Sequence, residues 1–234
     1  NQTEHIQFIL CFLFKSLCDL RYTYLRAKLL IADYTYLPTM PLTPLTQMES
    51  DLVQQFLQAD PADLALKLHR MKGIDRGRVL QQIVSRQKAK KKLPDWYEHN
   101  DLFFPPPVSV EQASSQATAR YKASLIEGEH LVDLTLGMGV DAFYFSKRFN
   151  KISAFESNSA LAEITAYNME QWKVPNIKIF DTPVLSLSSL QADWIYADPS
   201  RRDAQRNKTV AFEDSSPNVL NLITELSSNM MIKS

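Results

Sequence analysis

Along this chain the apolar positions recur first at a helical period and later in short strand-like runs. The opening run "IQFILCFLF" is interrupted by Lys15 and Asp19. That is well short of the ~20 apolar residues a membrane span needs, so it reads as a buried helix. "LPTMPLTPLTQ" (37–47) is punctuated by proline and reads as a linker. From Gln47 the pattern is helical, and "MESDLVQQFLQAD" places Leu52, Val53, Phe56 and Leu57 on one face. Asp60-Pro61 suits a second helix start, because proline is tolerated at the first helical position, and "ADLALKLHRM" continues it. "RGRVLQQIVSRQKAKKKLP" predicts a third helix, closing on the basic residues Arg86, Lys88, Lys90, Lys91 and Lys92.

The prolines of "FFPPPVSV" (103–110) predict a rigid extended connector. Ser109 with Gln112 matches a capping box, which predicts a helix running through "EQASSQATARYKASL". From His130 the pattern alternates. Strands are expected at 130–136, 151–156, 177–181, 192–197 and 229–233, and helices at 141–149, 158–171 and 216–227. Strands alternating with helices imply an α/β fold: a parallel sheet covered on both faces. The expected organisation is an extension and linker over 1–46, a helical module over 47–108 and an α/β domain over 109–234.

Composition narrows this picture modestly. Hydrophobic residues make up 45% and charged residues 22%, ordinary for a globular protein. Lys+Arg and Asp+Glu balance at 26 each, so net charge points to no polyanionic partner and any such reading rests on local patches. Cys11 and Cys18 are too few for a disulfide framework and lack metal-ligand spacing, so no metal site and a reducing cytoplasm are expected. No basic segment precedes the first apolar run and no small-residue cleavage site comes after it, so neither a signal peptide nor a membrane span is expected. The basic run beside Trp96 and Tyr97 reads equally as an RNA-binding face or as lysines complementing a helix dipole.

The chemistry concentrates after the first of the later strands. "HLVDLTLGMGVDAFYF" (130–145) contains Gly137-x-Gly139-x-x-Ala142, a turn that lets a backbone approach a nucleotide. Alone it leaves open a dinucleotide, another adenosyl cofactor, or no ligand. Three carboxylates favour the second. Asp133 stands at a strand end, where it would repel a pyrophosphate and attract a cation. Glu156 ends "ISAFES", where it suits both ribose hydroxyls, and Asp181 ends the strand of "IKIFDT", in reach of an adenine amino group.

These residues resemble the class I S-adenosylmethionine-dependent methyltransferases, in which an acid and a glycine turn close the first strand and acids end the second and third. The resemblance covers about 109–234 and is greatest to the THUMP-like and trimethylguanosine-synthase-like branch, through "VSVEQASSQATARYKASL" and "DLTLGMG". It implies a Rossmann-like sheet binding S-adenosyl-L-methionine through Asp133, Thr135, Gly137, Gly139, Glu156 and Asp181, with Thr135 where the wider family carries its first glycine. It also implies seven strands. "NMMIKS" reads as the fifth, so the expectation is a domain truncated after it.

"DWIYADPSRRD" (193–203) ends the fourth strand, where members acting on amino nitrogens of bases carry Asp/Asn-Pro-Pro-aromatic. Methyl transfer from a sulfonium is an in-line displacement, so positioning outweighs acid–base work. A carboxylate such as Asp198, with the Pro199 carbonyl, can accept both N–H bonds of an amine and aim its lone pair. Ser200 and Arg201 replace the second proline and the aromatic, and a guanidinium can itself stack on a base or grip a phosphate. The expected activity is methylation of a nucleobase amino nitrogen, with RNA as the partner. Carbon-5 pyrimidine chemistry is not expected, because no cysteine lies beyond Cys18. The rivals are a nicotinamide or flavin oxidoreductase and a non-catalytic RNA-binding adaptor with a vestigial cofactor site.

Overall fold

A computed structural model of the protein describes residues 42–182, 191–199 and 229–233. The chain divides into two compact units, with 45–87 in the first and 88–234 in the second.

The first unit is helical. α1 (Gln47–Phe56) starts from a capping box that the hydrophobic pattern does not announce. The Thr46 hydroxyl accepts the Glu49 N–H and the Glu49 carboxylate accepts the Thr46 N–H, covering two otherwise orphaned donors. The other Glu49 oxygen accepts the Asp75 N–H at 3.2 Å, which explains a nearly buried glutamate. α2 (Pro61–His69) begins at Pro61 as expected, and α3 (Arg76–Lys92) comes next. Val53, Leu64, Leu68, Val79, Leu80 and Ile83 fill the core of this unit, with Leu52 and Phe56 packed against it. The sequence placed 47–108 in one module. The division instead falls after Gln87, because Ala89, Leu93 and Trp96 join the core of the second unit.

In that unit α4 (Pro94–Glu98) leads to the proline segment. Residues 102–106 are buried. Phe103 N–H donates to Asn168 Oδ1 and Asn168 Nδ2 donates to the Phe103 carbonyl, both at 2.8 Å, so one side-chain amide satisfies a buried peptide. The single helix expected from Ser109 is two. α5 (Pro107–Gln112) starts two residues earlier, on a proline at its first position and without a side-chain cap. Extended backbone at Ala113 ends it, and Ser115 caps α6 (Gln116–Leu125) by accepting the Thr118 N–H.

β1 (Gly128–Asp133), α7 (Val140–Phe145), β2 (Phe149–Phe155), α8 (Ser159–Gln171), β3 (Ile177–Phe180), β4 (Trp194–Ala197) and β5 (Asn229–Ile232) complete the described elements. All strand pairs are parallel, in the order β3-β2-β1-β4-β5. β1 stops at Asp133 rather than running to 136, because the Asp133 carboxylate takes the Thr135 N–H and turns the chain out of the ladder. β4 starts at Trp194 rather than 192, because the Asp193 carboxylate accepts the Glu129 and His130 N–H groups. α7 ends at Phe145 rather than 149, since β2 begins at Phe149. The helix expected over 216–227 lies outside the described residues. One face of the sheet packs Leu131, Ile152, Ala154 and Tyr196 into a core with α6 and α7, and Val132, Leu134, Ile195 and Ala197 cluster on the other. The strand order reverses between β1 and β4, so a crevice opens beyond the carboxyl ends of these strands.

Candidate functional site

The site assembles from the residues just beyond the carboxyl end of each strand. Asp133 closes β1 with 1% of its surface exposed. Its Oδ1 accepts the Thr135 N–H at 2.9 Å, and its buried Oδ2 has no partner among the described residues. Burial pushes this carboxyl up to about 8, against the Thr135 N–H, and the nearby Asp141 and Asp198 carboxylates add to the rise. The turn beyond it is stitched to both neighbours. Leu134 N–H donates to the Tyr196 carbonyl on β4 at 2.9 Å, and Leu136 N–H to the Phe155 carbonyl on β2 at 3.0 Å. Leu136 and Met138, the bulky residues of the turn, point into the core at 4% and 3% exposure.

The two glycines do different work. Gly137 has φ +54°, and a Cβ built there would meet nothing nearer than the Thr135 carbonyl at 3.9 Å, so that side of the turn is open. Gly139 has φ +79°, and its Cβ would fall 2.6 Å from Thr165 Cγ2 and 2.7 Å from Met169 Cε, so it lets the turn close onto α8. Glu156, one residue beyond β2, accepts the Gly137 N–H at 2.9 Å through Oε2 and the Asn158 N–H at 2.8 Å through Oε1. It therefore lies against the turn. Glu156 N–H bonds the Phe180 carbonyl at 3.0 Å, which sets the end of β3 beside the end of β2. Asp181 is exposed, one residue past β3.

Across the crevice, Asp198 and the buried Pro199 come after β4. Thr135 Oγ1 accepts the Asp198 N–H at 2.7 Å, a tether that a glycine at position 135 could not make. Ser200 and Arg201 lie outside the described residues.

Sequence reasoning missed two lysines. Lys233, just after β5, places Nζ 2.5 Å from Asp198 Oδ2. Lys122 of α6 is buried, with Nζ 2.6 Å from Asp141 Oδ2, 2.5 Å from the Tyr196 hydroxyl and 3.0 Å from Ser114 Oγ. Burial lowers the Lys122 ammonium and Asp141 raises it, while burial pushes the Tyr196 phenol up. The bonds to Tyr196 and Asp198 bridge long stretches of sequence, so no local pattern marks them. The site thus gathers the carboxyls of Asp133, Asp141 and Asp198 around the ammoniums of Lys122 and Lys233.

The basic run is partly structural. Lys88 pairs with Glu111, and Lys92 donates to the carbonyls of Val110 and Glu111 at 3.1 and 2.5 Å. Lys90 lies over the Tyr97 ring at 5.7 Å, and Lys91 is exposed. Among the described residues no cluster of His, Cys, Asp and Glu is placed to hold a metal, and no helix is long and apolar enough to cross a membrane.

The five-stranded parallel sheet with its flanking helices is the Rossmann-like methyltransferase fold. Among solved structures, the chain is similar to a candidate methyltransferase from Porphyromonas gingivalis W83, at 25% identity and TM-score 0.63, over 79% of this chain and 47% of that one. An rRNA methylase from Streptococcus thermophilus matches at 15% identity and TM-score 0.36, over 50% of this chain and 68% of that one. The tRNA (uracil-54, C5)-methyltransferase of Pyrococcus abyssi, solved with S-adenosyl-L-homocysteine, matches at 25% identity and TM-score 0.32, over 44% of this chain and 25% of that one. These last two likenesses are too partial to carry an argument. The chain spans about half the length of the Porphyromonas protein. No protein-family model and no curated protein matches it.

Proposed function

We propose that this chain binds S-adenosyl-L-methionine beyond the ends of β1, β2 and β3 and methylates an amino nitrogen of a nucleobase in RNA. The observation that carries the cofactor reading is the buried Asp133 Oδ2 without a partner among the described residues. A cationic ligand beside Asp133 favours its ionised form and pairs with it, whereas the pyrophosphate of a nicotinamide or flavin dinucleotide would be repelled by that carboxylate. Gly137 leaves room for close approach, and Glu156, against the turn, is the carboxylate proposed for the ribose hydroxyls. Asp181, just past β3, is the group for the adenine amino end, while Thr135 and Gly139 hold the turn in shape. The fold shared with the Porphyromonas protein supports the same reading.

The bound cofactor supplies an electrophilic methyl on a sulfonium. Asp198 Oδ1 and the Pro199 carbonyl hold the acceptor's N–H bonds so that the nitrogen lone pair faces that methyl. With that donor bound, the aligned nitrogen would take the methyl in line and its surplus amino proton would leave to water. Ser200 and Arg201, next in sequence, are the groups proposed to line the base or its phosphate.

Calorimetric titration tests the cofactor. S-adenosyl-L-methionine and S-adenosyl-L-homocysteine should bind, with Asp133→Ala and Glu156→Ala weakening both. Tight binding of nicotinamide dinucleotide, with neither adenosyl ligand bound, would overturn the reading. For the acceptor, tritium from labelled cofactor should enter total RNA, and Asp198→Ala should abolish it. Unchanged incorporation by that variant would remove Asp198 from the chemistry.

A further inference from the structure

The end of β5 supplies a group that the proposed methyl transfer does not use. Lys233 Nζ contacts Asp198 Oδ2 at 2.5 Å and approaches Ser114 Oγ at only 3.4 Å. The two side chains are 32% and 28% exposed, so a ligand in the crevice can reach both. Lys122 is the useful contrast. It is 7% exposed and its ammonium is fully engaged by Asp141, Tyr196 and Ser114, so it serves the interior.

An ammonium has three N–H donors and a carboxylate has acceptor sites on both oxygens. Among the described residues, Lys233 gives one donor to Asp198 and at most a weak one to Ser114. Asp198 Oδ1 has no hydrogen-bond partner among the described residues. The pair therefore offers incoming matter one acceptor and one donor side by side.

The geometry points to Lys233 as a specificity-determining residue: with Asp198 it forms a two-point reader for an amino group flanked by a hydrogen-bond acceptor, as in adenine or cytosine. This rests on the methyltransferase reading and names its acceptor class. Adenine presents N6–H beside N1, and cytosine presents N4–H beside N3. In each, Asp198 accepts the amino proton and Lys233 donates to the ring nitrogen. The amino group of guanine has the N1–H donor beside it, and its one neighbouring acceptor, N3, lies toward the ribose. Lys233 would face N1–H with a donor of its own, and both would go unpaired. Loss of one good bidentate contact corresponds to roughly a 10- to 100-fold discrimination.

The test uses the protein at its full natural length, with labelled methyl transfer to poly(A), poly(C) and poly(G) and calorimetry with S-adenosyl-L-homocysteine. Poly(A) or poly(C) should exceed poly(G) by about 10-fold or more. Lys233→Met should lower that transfer and narrow the preference, with affinity for S-adenosyl-L-homocysteine unchanged, and Lys233→Arg should restore part of it. A merely structural lysine would instead lower stability and cofactor affinity while leaving the base preference intact, which overturns the proposal. Preference for poly(G), or cofactor binding with no transfer to any polymer, also overturns it and leaves the cofactor reading standing. Absence of cofactor binding removes the reading beneath it and the reader together.

Discussion

Replacing each glycine of the turn by alanine separates packing from ligand access. Both residues sit at positive φ, where a Cβ costs about 1–2 kcal/mol. At Gly137 little else is added, because the nearest atom is 3.9 Å away. At Gly139 the new methyl lands 2.6 Å from Thr165 Cγ2 and 2.7 Å from Met169 Cε. The Met169 methyl can swing aside. Thr165 cannot easily do so, being fully buried, β-branched and anchored by its hydroxyl on the Gly137 carbonyl at 2.9 Å. Overpacking of this kind costs about 1–3 kcal/mol, which brings Gly139→Ala to about 2–5 kcal/mol in all. Urea unfolding monitored by circular dichroism should therefore show a large midpoint shift for Gly139→Ala and a small one for Gly137→Ala. Titration with S-adenosyl-L-homocysteine should invert the order, with Gly137→Ala losing at least ~10-fold in affinity while it remains folded. Equal stability losses, or full affinity in Gly137→Ala, would refute the division of labour between the two positions.

Buried polar groups give further outcomes. The folded chain keeps a proton on Asp133 between the ordinary carboxylate range near 4 and about 8, and the unfolded chain does not. Stability thus falls as pH rises through that window, by up to roughly 5 kcal/mol, and Asp133→Asn should gain on the wild type from pH 5 to pH 8 in urea melts. Parallel curves would rule the linkage out. Binding of a sulfonium beside Asp133 should also release close to one proton at pH 7, read from calorimetry in buffers of different ionisation enthalpy. Lys122→Met leaves Asp141 buried without its cation and should cost about 3–5 kcal/mol, while pairing it with Asp141→Leu should recover much of the loss. Asn168→Leu removes the amide that meets both the N–H and the carbonyl of Phe103 and should cost about 1–3 kcal/mol in urea melts, and a loss below ~1 kcal/mol would show that other groups replace it.

The parallel sheet was legible because its strands are short apolar runs closed by acids. Asp133, Glu156 and Asp198 each mark a place where the chain leaves the ladder, and all three sit at strand ends in the structure. Everything whose meaning depends on a distant partner escaped. In "ARYKASL" Lys122 looks like a solvated helix lysine, and nothing nearby announces Asp141 or Tyr196. "FFPPP" reads as a connector, because the Asn168 amide that meets the buried Phe103 backbone is supplied by another helix. The Ser109–Gln112 spacing matched a capping box by coincidence, while the working box, Thr46–Glu49, went unread beside a proline-rich stretch.

Thr135 couples the two halves of the crevice. The turn that would hold a methyl donor and the segment that would hold its acceptor are far apart in sequence, and one hydroxyl joins them at 2.7 Å. A displacement of the turn therefore drags the start of the acceptor segment with it. Thermal wander of the two halves becomes common-mode, and the gap between the reacting atoms varies less than the position of either half. Since an error near 1 Å in that gap costs on the order of 10²-fold in rate, correlating the errors is worth more to the reaction than stiffening one side alone.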